Sequence, residues 1–368
     1  MAAKVKVGIV GTGNICKAYV LTAQSFPILE VVALADINMD VAKARAAELN
    51  VPRALSVEQL LADPEIEIVV NLTIPKAHAP VALAALAAGK HVYNEKPLAV
   101  SLEDGAKIVE QARARKLRVG CAPGTFLGGG LQTCRKLIDD GVIGQPIGAS
   151  AFMMCPGHER WHPNPEFFYE AGGGPMMDMG PYYITTLLNL LGPVRRVTGS
   201  ATVLKPDRTI TSEPKKGKKI DIQTPDHISG VIDFVSGAVA TITTTFAAWH
   251  STLPNMEIYG TLGTLLAPDP NSLGGPIRLK LADDKEWREV PLSFGHEGPN
   301  KWGIGVAEMA PAIRSGRGHR ATGQNALHAL EVMHAFLTAP QQGRHVIIQA
   351  PYERPQPLPP GLPQDALE

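Results

Sequence analysis

Residues 5–13 read Val-Lys-Val-Gly-Ile-Val-Gly-Thr-Gly, a short β-branched run that ends in a Gly-x-Gly turn. Its β-branched run predicts a buried parallel strand. Gly11 allows a tight turn after that strand, and Gly13 lets the backbone approach a pyrophosphate held at the N-terminus of the next helix. The other turn residues expected to contact a dinucleotide are Thr12, Asn14 and Ile15. The motif is imperfect, because its third small position is Cys16 and not glycine.

An acidic residue stands at the end of the second apolar run, at Asp36. In a dinucleotide site such a carboxylate accepts hydrogen bonds from the adenosine ribose hydroxyls and repels a 2′-phosphate. The next residues, Ile37 and Asn38, supply no cation to reverse that preference, and Ile37 is expected beside the adenosine. The sequence therefore predicts NAD in preference to NADP. The alternative is that Asp36 only caps the following helix, a role that Asp40 could also fill.

Composition limits the possible partners. The 368 residues carry 35 basic and 35 acidic side chains, so no charge pattern indicates nucleic acid or an anionic membrane. No apolar stretch approaches the length of a membrane span, and no signal peptide precedes the first strand. The four cysteines lack metal-ligand spacing. We expect a cytoplasmic protein with free thiols, a small or neutral partner and no metal.

The order of the elements predicts two domains and a tail. Strand and helix patterns alternate over residues 1–123, which predicts an α/β Rossmann domain with a doubly wound parallel sheet. Strand patterns dominate residues 124–350, which predicts a second, substrate-binding α/β domain with an open, mainly antiparallel sheet. A helix over residues 304–315 is expected to return to the first domain. Residues 351–368 are Pro-rich, and polyproline or poorly ordered chain is expected there.

The segment Glu95-Lys96-Pro97-Leu98 follows a predicted strand, so Lys96 should project from the carboxyl edge of the sheet. A lysine there can offer its charge to a hydroxyl or carbonyl and lower the pKa of a neighbour. The bond between Lys96 and Pro97 is a candidate for the cis form. The alternative is that Glu95 and Lys96 form an ordinary surface pair.

Residues 172–183 form a second cluster, a triglycine that leads into a helix. Asp178 and Tyr182 are four residues apart, and helical spacing places them on one face. An acid and a phenol that face the same cleft as a lysine would form a proton relay. The alternative is that Asp178 caps the helix and the tyrosines pack in the core.

Together these motifs resemble the Gfo/Idh/MocA family of NAD(P)-dependent oxidoreductases. The segments that carry the resemblance are Gly11-x-Gly13 with Asp36, Thr73-x-Pro75-x-x-His78, Ala88-Gly89-Lys90-His91-Val92, Glu95-Lys96-Pro97-Leu98 and Gly172-Gly173-Gly174 with Asp178-x-Gly180. The resemblance extends from the first strand to about residue 335. It implies a sugar or polyol substrate between the two domains, and a homodimer or homotetramer formed through the open sheet.

Carried over by position, Lys96 matches the active-site lysine of the family and Asp178 its aspartate. The family commonly has a histidine acid/base where this chain has Tyr182. We expect Tyr182 to take the substrate proton, Lys96 to lower its pKa, and Asp178 to orient one of the two. The competing acid/base is His162 or His158, in a loop whose Trp161 offers an apolar face to a sugar ring.

The loop after the third long strand is expected to line the dinucleotide, through Thr73, Pro75 and His78 together with Glu95 and Lys96. His78 alone does not indicate a metal, because no second ligand stands at metal spacing. The predicted function is hydride transfer between nicotinamide and a hydroxyl or carbonyl carbon. The alternatives are a glycoside-cleaving enzyme that oxidises its sugar transiently, and a non-catalytic NAD-binding protein.

Overall fold

The computed structural model describes residues 3–298 and 302–368. Its first sheet has six parallel strands: β1 (Val5–Val10), β2 (Leu29–Ala35), β3 (Ala54–Leu55), β4 (Ile68–Asn71), β5 (His91–Asn94) and β6 (Val119–Cys121). Their order is β3-β2-β1-β4-β5-β6, and every neighbouring pair is parallel. This order, which reverses between β1 and β4, is that of the dinucleotide-binding fold. The predicted doubly wound parallel sheet is confirmed.

Five helices connect these strands: α1 (Cys16–Gln24), α2 (Met39–Glu48), α3 (Val57–Ala62), α4 (Pro75–Ala87) and α5 (Leu102–Ala114). Local signals set most of their starts. Ser56 and Gln59 form a reciprocal capping box at α3, and Ser101 caps α5 through the amide of Asp104. Helix α4 begins at Pro75, where a missing N–H costs nothing.

Within the described part of the chain, the second sheet contains nine strands: β7 (Pro146–Met154), β8 (Val194–Thr202), β11 (His227–Phe234), β12 (Val239–Thr245), β13 (Met256–Gly260), β14 (Gly263–Ala267), β15 (Ile277–Leu281), β16 (Arg288–Val290) and β17 (Val346–Ile347). Their order is β16-β15-β14-β13-β7-β12-β11-β8-β17, and within it only β7 and β12 pair in parallel. Two short strands, β9 (Arg208–Thr209) and β10 (Lys219–Ile220), form a separate hairpin between β8 and β11. The predicted mainly antiparallel sheet is confirmed.

The second sheet is covered on one face. Helices α6 (Gly129–Asp139), α7 (Gly174–Asp178), α8 (Gly180–Leu191) and α10 (Gly323–Gln342) pack against it. Alternation along β7 shows the reason: Ala149, Ala151 and Met153 are buried toward the helices, whereas Ser150 and Phe152 belong to the other face. The sheet is therefore open, as predicted.

Two helices from the later part of the chain pack against the first domain. Helix α9 (Ile304–Ser315) packs against α1 and β6, so the expectation that it returns to the first domain is confirmed. Helix α10 packs between α5 and β8. Helix α10 also packs against β6 and β11, so it contacts both sheets, whereas α9 contacts elements of the first domain.

Residues 351–368 are held against the rest of the chain, so the expectation of poorly ordered chain there is wrong. The amide of Leu358 donates to Gln132 at 2.8 Å, and Leu358 and Leu367 are buried. The carboxylate of Glu368 pairs with Arg320 at 3.1 Å. Buried leucines and a paired terminal side chain supply the contacts that a Pro-rich composition does not reveal.

None of the helices in residues 3–298 and 302–368 is long and apolar enough to cross a membrane.

Candidate active site

A cleft of about 790 Å³ lies at the carboxyl ends of β1, β4 and β5. The loop over residues 158–168 and the start of α8 form its other side. It is lined by Gly13, Asn14, Ile15, Thr73, Pro75, His78, Glu95 and Lys96 from the first sheet, and by His158, Trp161, His162, Phe168, Met177, Asp178 and Tyr182 from the second part of the chain. Thus most of the predicted site residues meet in one cavity.

The turn after β1 has the geometry that a dinucleotide needs. Gly11 has φ +96°, and a Cβ there would lie 2.6 Å from the carbonyl carbon of Leu72. A Cβ at Gly13 would meet no atom within 4 Å among the described residues, so this backbone faces open space in the cleft. No side chain of the described residues caps the N-terminus of α1. The amides of Cys16 and Ala18 donate to the carbonyls of Gly13 and Ile15, so an anion there would be attracted by the helix dipole and by the remaining turn amides.

Asp36 is fixed by its neighbours and does not cap α2. Its Oδ2 accepts from the amide and the hydroxyl of Thr12 at 2.8 and 2.9 Å, and its Oδ1 accepts from the amide of Asn38 at 3.0 Å. The cap of α2 is the side chain of Asn38. Although burial opposes ionisation, the hydrogen bonds from Asn38 and Thr12 lower the pKa of Asp36, so it stays a carboxylate. Ile37 beside it is fully exposed.

The loop after β4 is joined to the loop after β5 through His78. The ring of His78 is buried, with Nδ1 at 2.6 Å from the carbonyl oxygen of Pro97 and Nε2 at 3.0 Å from that of Thr73. Both nitrogens thus face protein carbonyls, and burial lowers the pKa of His78. The ring braces these loops, and Pro75 starts α4 beside it.

Glu95 also has a bracing position. Its Oε1 accepts from the hydroxyl of Tyr19 at 2.6 Å, and its Oε2 accepts from the amide of Lys96 at 2.9 Å. The peptide bond between Lys96 and Pro97 is cis. The alternative of an ordinary surface pair between Glu95 and Lys96 is excluded, because the Lys96 side chain is 16% exposed and turns to another carboxylate.

That carboxylate belongs to Asp178. The Lys96 ammonium donates to Asp178 Oδ1 at 2.6 Å and to the Asp178 carbonyl at 2.7 Å. Burial disfavours both charges, yet the Asp178 charge raises the pKa of Lys96, and the Lys96 charge holds the pKa of Asp178 well below its usual range. Asp178 lies in α7 and is not a helix cap. The pair joins the first sheet to the second part of the chain.

His158 occupies the other oxygen of Asp178. Its Nε2 lies 2.9 Å from Asp178 Oδ2, and the indole N–H of Trp161 donates to its Nδ1 at 3.2 Å. Since Nδ1 accepts, the proton of a neutral ring resides on Nε2 and is donated to Asp178. His158 in this arrangement has no free lone pair.

Tyr182 lies under the lysine. The Lys96 ammonium is 5.3 Å from the centre of the Tyr182 ring, and the hydroxyl has no hydrogen-bond partner in the part of the chain that the structure describes. The charge of Lys96 favours phenolate, but burial outweighs it and raises the pKa of Tyr182 well above its ordinary value. The expectation that Lys96 pulls this pKa below the ordinary value is therefore wrong.

His162 and Trp161 lie at the rim of the cleft. Trp161 is 61% exposed, and its ring contacts the rings of His158 and His162 edge-on. The Nδ1 of His162 accepts from the amide of Asn164 at 3.0 Å. Burial lowers the pKa of His162, so this ring is neutral at pH 7.

Phe168 is a wall residue that the sequence analysis missed. Its ring centre is 4.3 Å from that of His158, and Met177 lines the same side. The aromatic run Phe167-Phe168-Tyr169, placed between the histidine loop and the triglycine, was the available signal.

Two family profiles match the chain. An oxidoreductase family with an NAD-binding Rossmann fold matches residues 5–122, and the GFO/IDH/MocA C-terminal domain matches residues 131–266. The chain belongs to the Gfo/Idh/MocA family. The resemblance seen in its motifs is thereby confirmed, and its first domain is an NAD-binding Rossmann domain of an oxidoreductase.

The chain is similar to curated proteins over most of its length. It is 28% identical to 1,5-anhydro-D-fructose reductase from Ensifer adhaerens, over 93% of this chain and 98% of that protein. It is 28% identical to inositol 2-dehydrogenase 3 from Saccharopolyspora erythraea, over 77% and 80%. Among solved structures, levoglucosan dehydrogenase in complex with NADH and levoglucosan has a TM-score of 0.82 at 20% identity, with 94% and 100% covered.

Substitutions at Gly11 and Gly13 distinguish an effect on folding from an effect on NADH binding. Gly13→Ala should fold normally, because its Cβ meets open space, but should weaken NADH binding by about tenfold or more, since the methyl group fills the path of the ligand. Thermal unfolding and a fluorescence titration with NADH measure the two effects. Gly11→Ala is the contrasting variant and should lower the melting temperature, because its Cβ strikes backbone. Unchanged NADH affinity in Gly13→Ala would contradict this assignment.

Proposed function

We propose that this protein is an NAD-dependent dehydrogenase or reductase of an uncharged sugar or polyol, which transfers a hydride between nicotinamide and a hydroxyl or carbonyl carbon. The observation that carries the proposal is the buried ammonium of Lys96, placed with Asp178 and Tyr182 in the same cleft as the Gly13 turn. The lysine stands where a substrate oxygen would meet the end of a dinucleotide bound along that turn.

The residues of the cleft fit a dinucleotide cofactor. Gly13 and the N-terminus of α1 would hold its pyrophosphate, Asp36 its adenosine ribose, and the Thr73 loop its nicotinamide half. When bound, nicotinamide supplies the hydride acceptor or donor. The residues of this chain hold the substrate oxygen and exchange its proton.

The charge of the cleft favours a neutral substrate. Among the described residues that line it, Lys96 is the one lysine or arginine, and Asp178 neutralises that charge. A phosphate or carboxylate would find no unpaired cation there. The exposed Trp161 ring offers an apolar surface for the C–H face of a sugar ring. The names of the relatives, an anhydrofructose reductase and an inositol dehydrogenase, support this substrate class.

Lys96 is suited to hold the substrate oxygen. An ammonium has three donors, and two of them serve the carbonyl and carboxylate of Asp178. The third remains for an alcohol or carbonyl oxygen. Because Asp178 fixes the ammonium, this donor is oriented before substrate binds.

Tyr182 is the acid/base that the geometry favours. Its hydroxyl has no protein partner among the described residues, whereas both nitrogens of His158 are occupied. The Nε2 of His162 has no hydrogen-bond partner among the described residues, so His162 is the competitor. With its raised pKa, Tyr182 is a neutral phenol at pH 7 and can donate a proton to a carbonyl oxygen during reduction. The reverse reaction needs the phenolate, so it should speed up as the pH rises.

The direct test is a screen of purified protein with NAD(H) and NADP(H) against aldoses, ketoses, inositols, anhydro sugars and glycosides. We expect reversible change in NADH absorbance with at least one uncharged sugar or polyol. Glycoside cleavage without net NADH formation, or tight NADH binding with no turnover of any compound, would overturn the proposal.

Asp36 should set the preference for NAD. Its ionised carboxylate repels a 2′-phosphate, and the two cations near the turn, Lys17 and Arg45, are both paired with Glu48. Asp36→Ser should therefore shift the ratio of kcat/KM values toward NADP by about 10- to 100-fold. Asp40→Ser, an exposed carboxylate in the same region, is the control and should leave the ratio unchanged. Equal kcat/KM values for NAD and NADP in the unmutated protein would contradict the role assigned to Asp36.

Tyr182→Phe should lower kcat in both directions by about 10²- to 10⁴-fold, because the proton donor and acceptor is lost. His162→Ala should retain most of the activity. The pH profile adds a second measure: in the natural protein the oxidation rate should rise about tenfold per pH unit below the pKa of Tyr182, while the reduction rate stays flat near pH 7.

A different pH profile of the oxidation rate would identify His162 as the acid/base. An oxidation rate whose midpoint lies below the ordinary histidine pKa of about 6.5 would point to His162, because burial lowers the pKa of this ring. Full activity of Tyr182→Phe would remove the tyrosine from the mechanism.

Assembly and location stay predictions. The uncovered face of the second sheet, with Ser150, Phe152 and Tyr259, would join the copies of a homodimer or homotetramer, which light scattering of the purified protein would test. We continue to expect the protein in the cytoplasm.

A further inference from the structure

A buried cluster of charges lies behind the histidine loop. The side chain of Arg208, on β9, is 1% exposed and has two carboxylate partners. Its Nη1 donates to Glu159 Oε1 at 2.9 Å, and its Nη2 donates to Asp226 Oδ2 at 2.7 Å. The same two nitrogens donate to the carbonyls of Pro156 at 3.2 Å and Phe246 at 2.7 Å. One guanidinium therefore holds the start of the histidine loop, the start of β11 and the end of β12.

The cluster contacts His158 through Tyr169. The phenol of Tyr169 donates to Glu159 Oε2 and accepts from the backbone amide of His158 at 3.1 Å. The Arg208 guanidinium carbon stands 4.9 Å from the centre of the Tyr169 ring. The backbone of His158 is thus tied to the buried charges, while its ring reaches Asp178 on the cleft side.

Gly157 shows how closely the loop is seated on the cluster. It has φ +105°, and a Cβ at this position would lie 2.4 Å from Glu159 Oε2, 2.5 Å from Arg208 Nη1 and 2.6 Å from the Tyr169 hydroxyl. Only a residue without a side chain permits this approach. The residue just before His158 therefore fixes the loop at a set distance from Arg208.

Stability alone does not account for the cluster. A buried ion pair costs so much desolvation that apolar residues of similar size often stabilise a fold equally well. What an arginine with two carboxylates and two carbonyls provides is one defined arrangement of three chain segments. One of these segments carries the ring that binds Asp178.

We propose that Arg208 is a positioning residue for the reaction: with Glu159, Asp226 and Tyr169 it fixes the histidine loop so that His158 holds Asp178 and, through it, the Lys96 ammonium. This inference rests on the proposed function for its kinetic consequences. Its structural consequence, the placement of the His158 ring, is independent of any substrate.

The first experiment therefore uses no substrate. Nitrogen NMR of ¹⁵N-histidine-labelled protein, with His158→Phe to identify the signal, reports the protonated nitrogen and the hydrogen bonds of the His158 ring. Tyr169→Phe and Arg208→Lys should shift or broaden this signal. Tyr183→Phe is the matched control, since Tyr183 is equally buried but its hydroxyl accepts from Asn255. An unchanged His158 signal in Tyr169→Phe overturns the proposal, even if Arg208→Lys does not fold.

The second experiment is a double-mutant cycle on a substrate found by the screen. Tyr169→Phe and Arg208→Lys should each lower kcat about 10-fold or more while the Kd for NADH changes less than twofold, because no residue of the cluster lines the cleft beside the Gly13 turn. In a His158→Phe background the same changes should cost less than twofold. Additive losses would mean that Arg208 does not act through His158, and would overturn the proposal.

The two proposals fail in different ways. If no compound in the screen is turned over, the proposed function fails, and the NMR comparison still decides the placement of His158. If turnover is found but the cycle is additive, the proposed function stands and the role of Arg208 is overturned.

Discussion

The pairing of Lys96 with Asp178 is the interaction on which the rest of the site depends. Lys96 comes from the edge of the first sheet and Asp178 from α7, so the pair joins the two parts of the chain at the point where a reaction would occur. Each charge is costly to bury alone, and loss of one partner of such a pair costs about 3–5 kcal/mol. The two charges are therefore stable only as a pair. The contact between the two parts of the chain and the position of the ammonium thus depend on each other.

The polar atoms beside this pair have defined partners. Asp178 Oδ1 holds Lys96 and Oδ2 holds His158, and Trp161 occupies the remaining nitrogen of that ring. This series of hydrogen bonds runs from the buried ammonium of Lys96 to the largely exposed indole of Trp161. The third donor of Lys96 and the hydroxyl of the neighbouring Tyr182 have no hydrogen-bond partner among the described residues, and the two side chains line the same cleft.

Local signals made the first sheet predictable. The strand before Gly11 and the helix over 304–315 follow from apolar runs and turn residues, and both appear where the sequence indicates. Helix α10 was missed because it buries residues against several elements, so its apolar residues do not mark a single face. The order of residues 351–368 was not predicted for a related reason. Proline content indicates only the backbone conformation, whereas this segment is held by contacts of Leu358 and Glu368 with residues far away in the sequence.

The sequence predicted most of the residues that line the candidate site, but not whether burial or charge determines the pKa of Tyr182. The predicted single helix is interrupted at Met179, so Asp178 ends α7 and Tyr182 lies in α8, although both line the cleft. Sequence spacing also does not reveal that the lysine lies over the phenol ring. The sign of the pKa shift of Tyr182 depends on burial against charge, and burial is a property of the whole fold. The partners of His158 are likewise set by contacts across the chain.

Asp178 itself is excluded as the group that takes the substrate proton. Both of its oxygens accept hydrogen bonds, one from an ammonium, and its pKa is held well below the usual range, so it remains ionised at any pH at which the protein would work. A carboxylate in this state orients its neighbours and balances their charge. Under the proposed function, proton exchange then falls to a group whose polar atom faces the cleft without a hydrogen-bond partner among the described residues. The Tyr182 hydroxyl meets that condition beside Lys96, whereas the free Nε2 of His162 belongs to a loop at the rim.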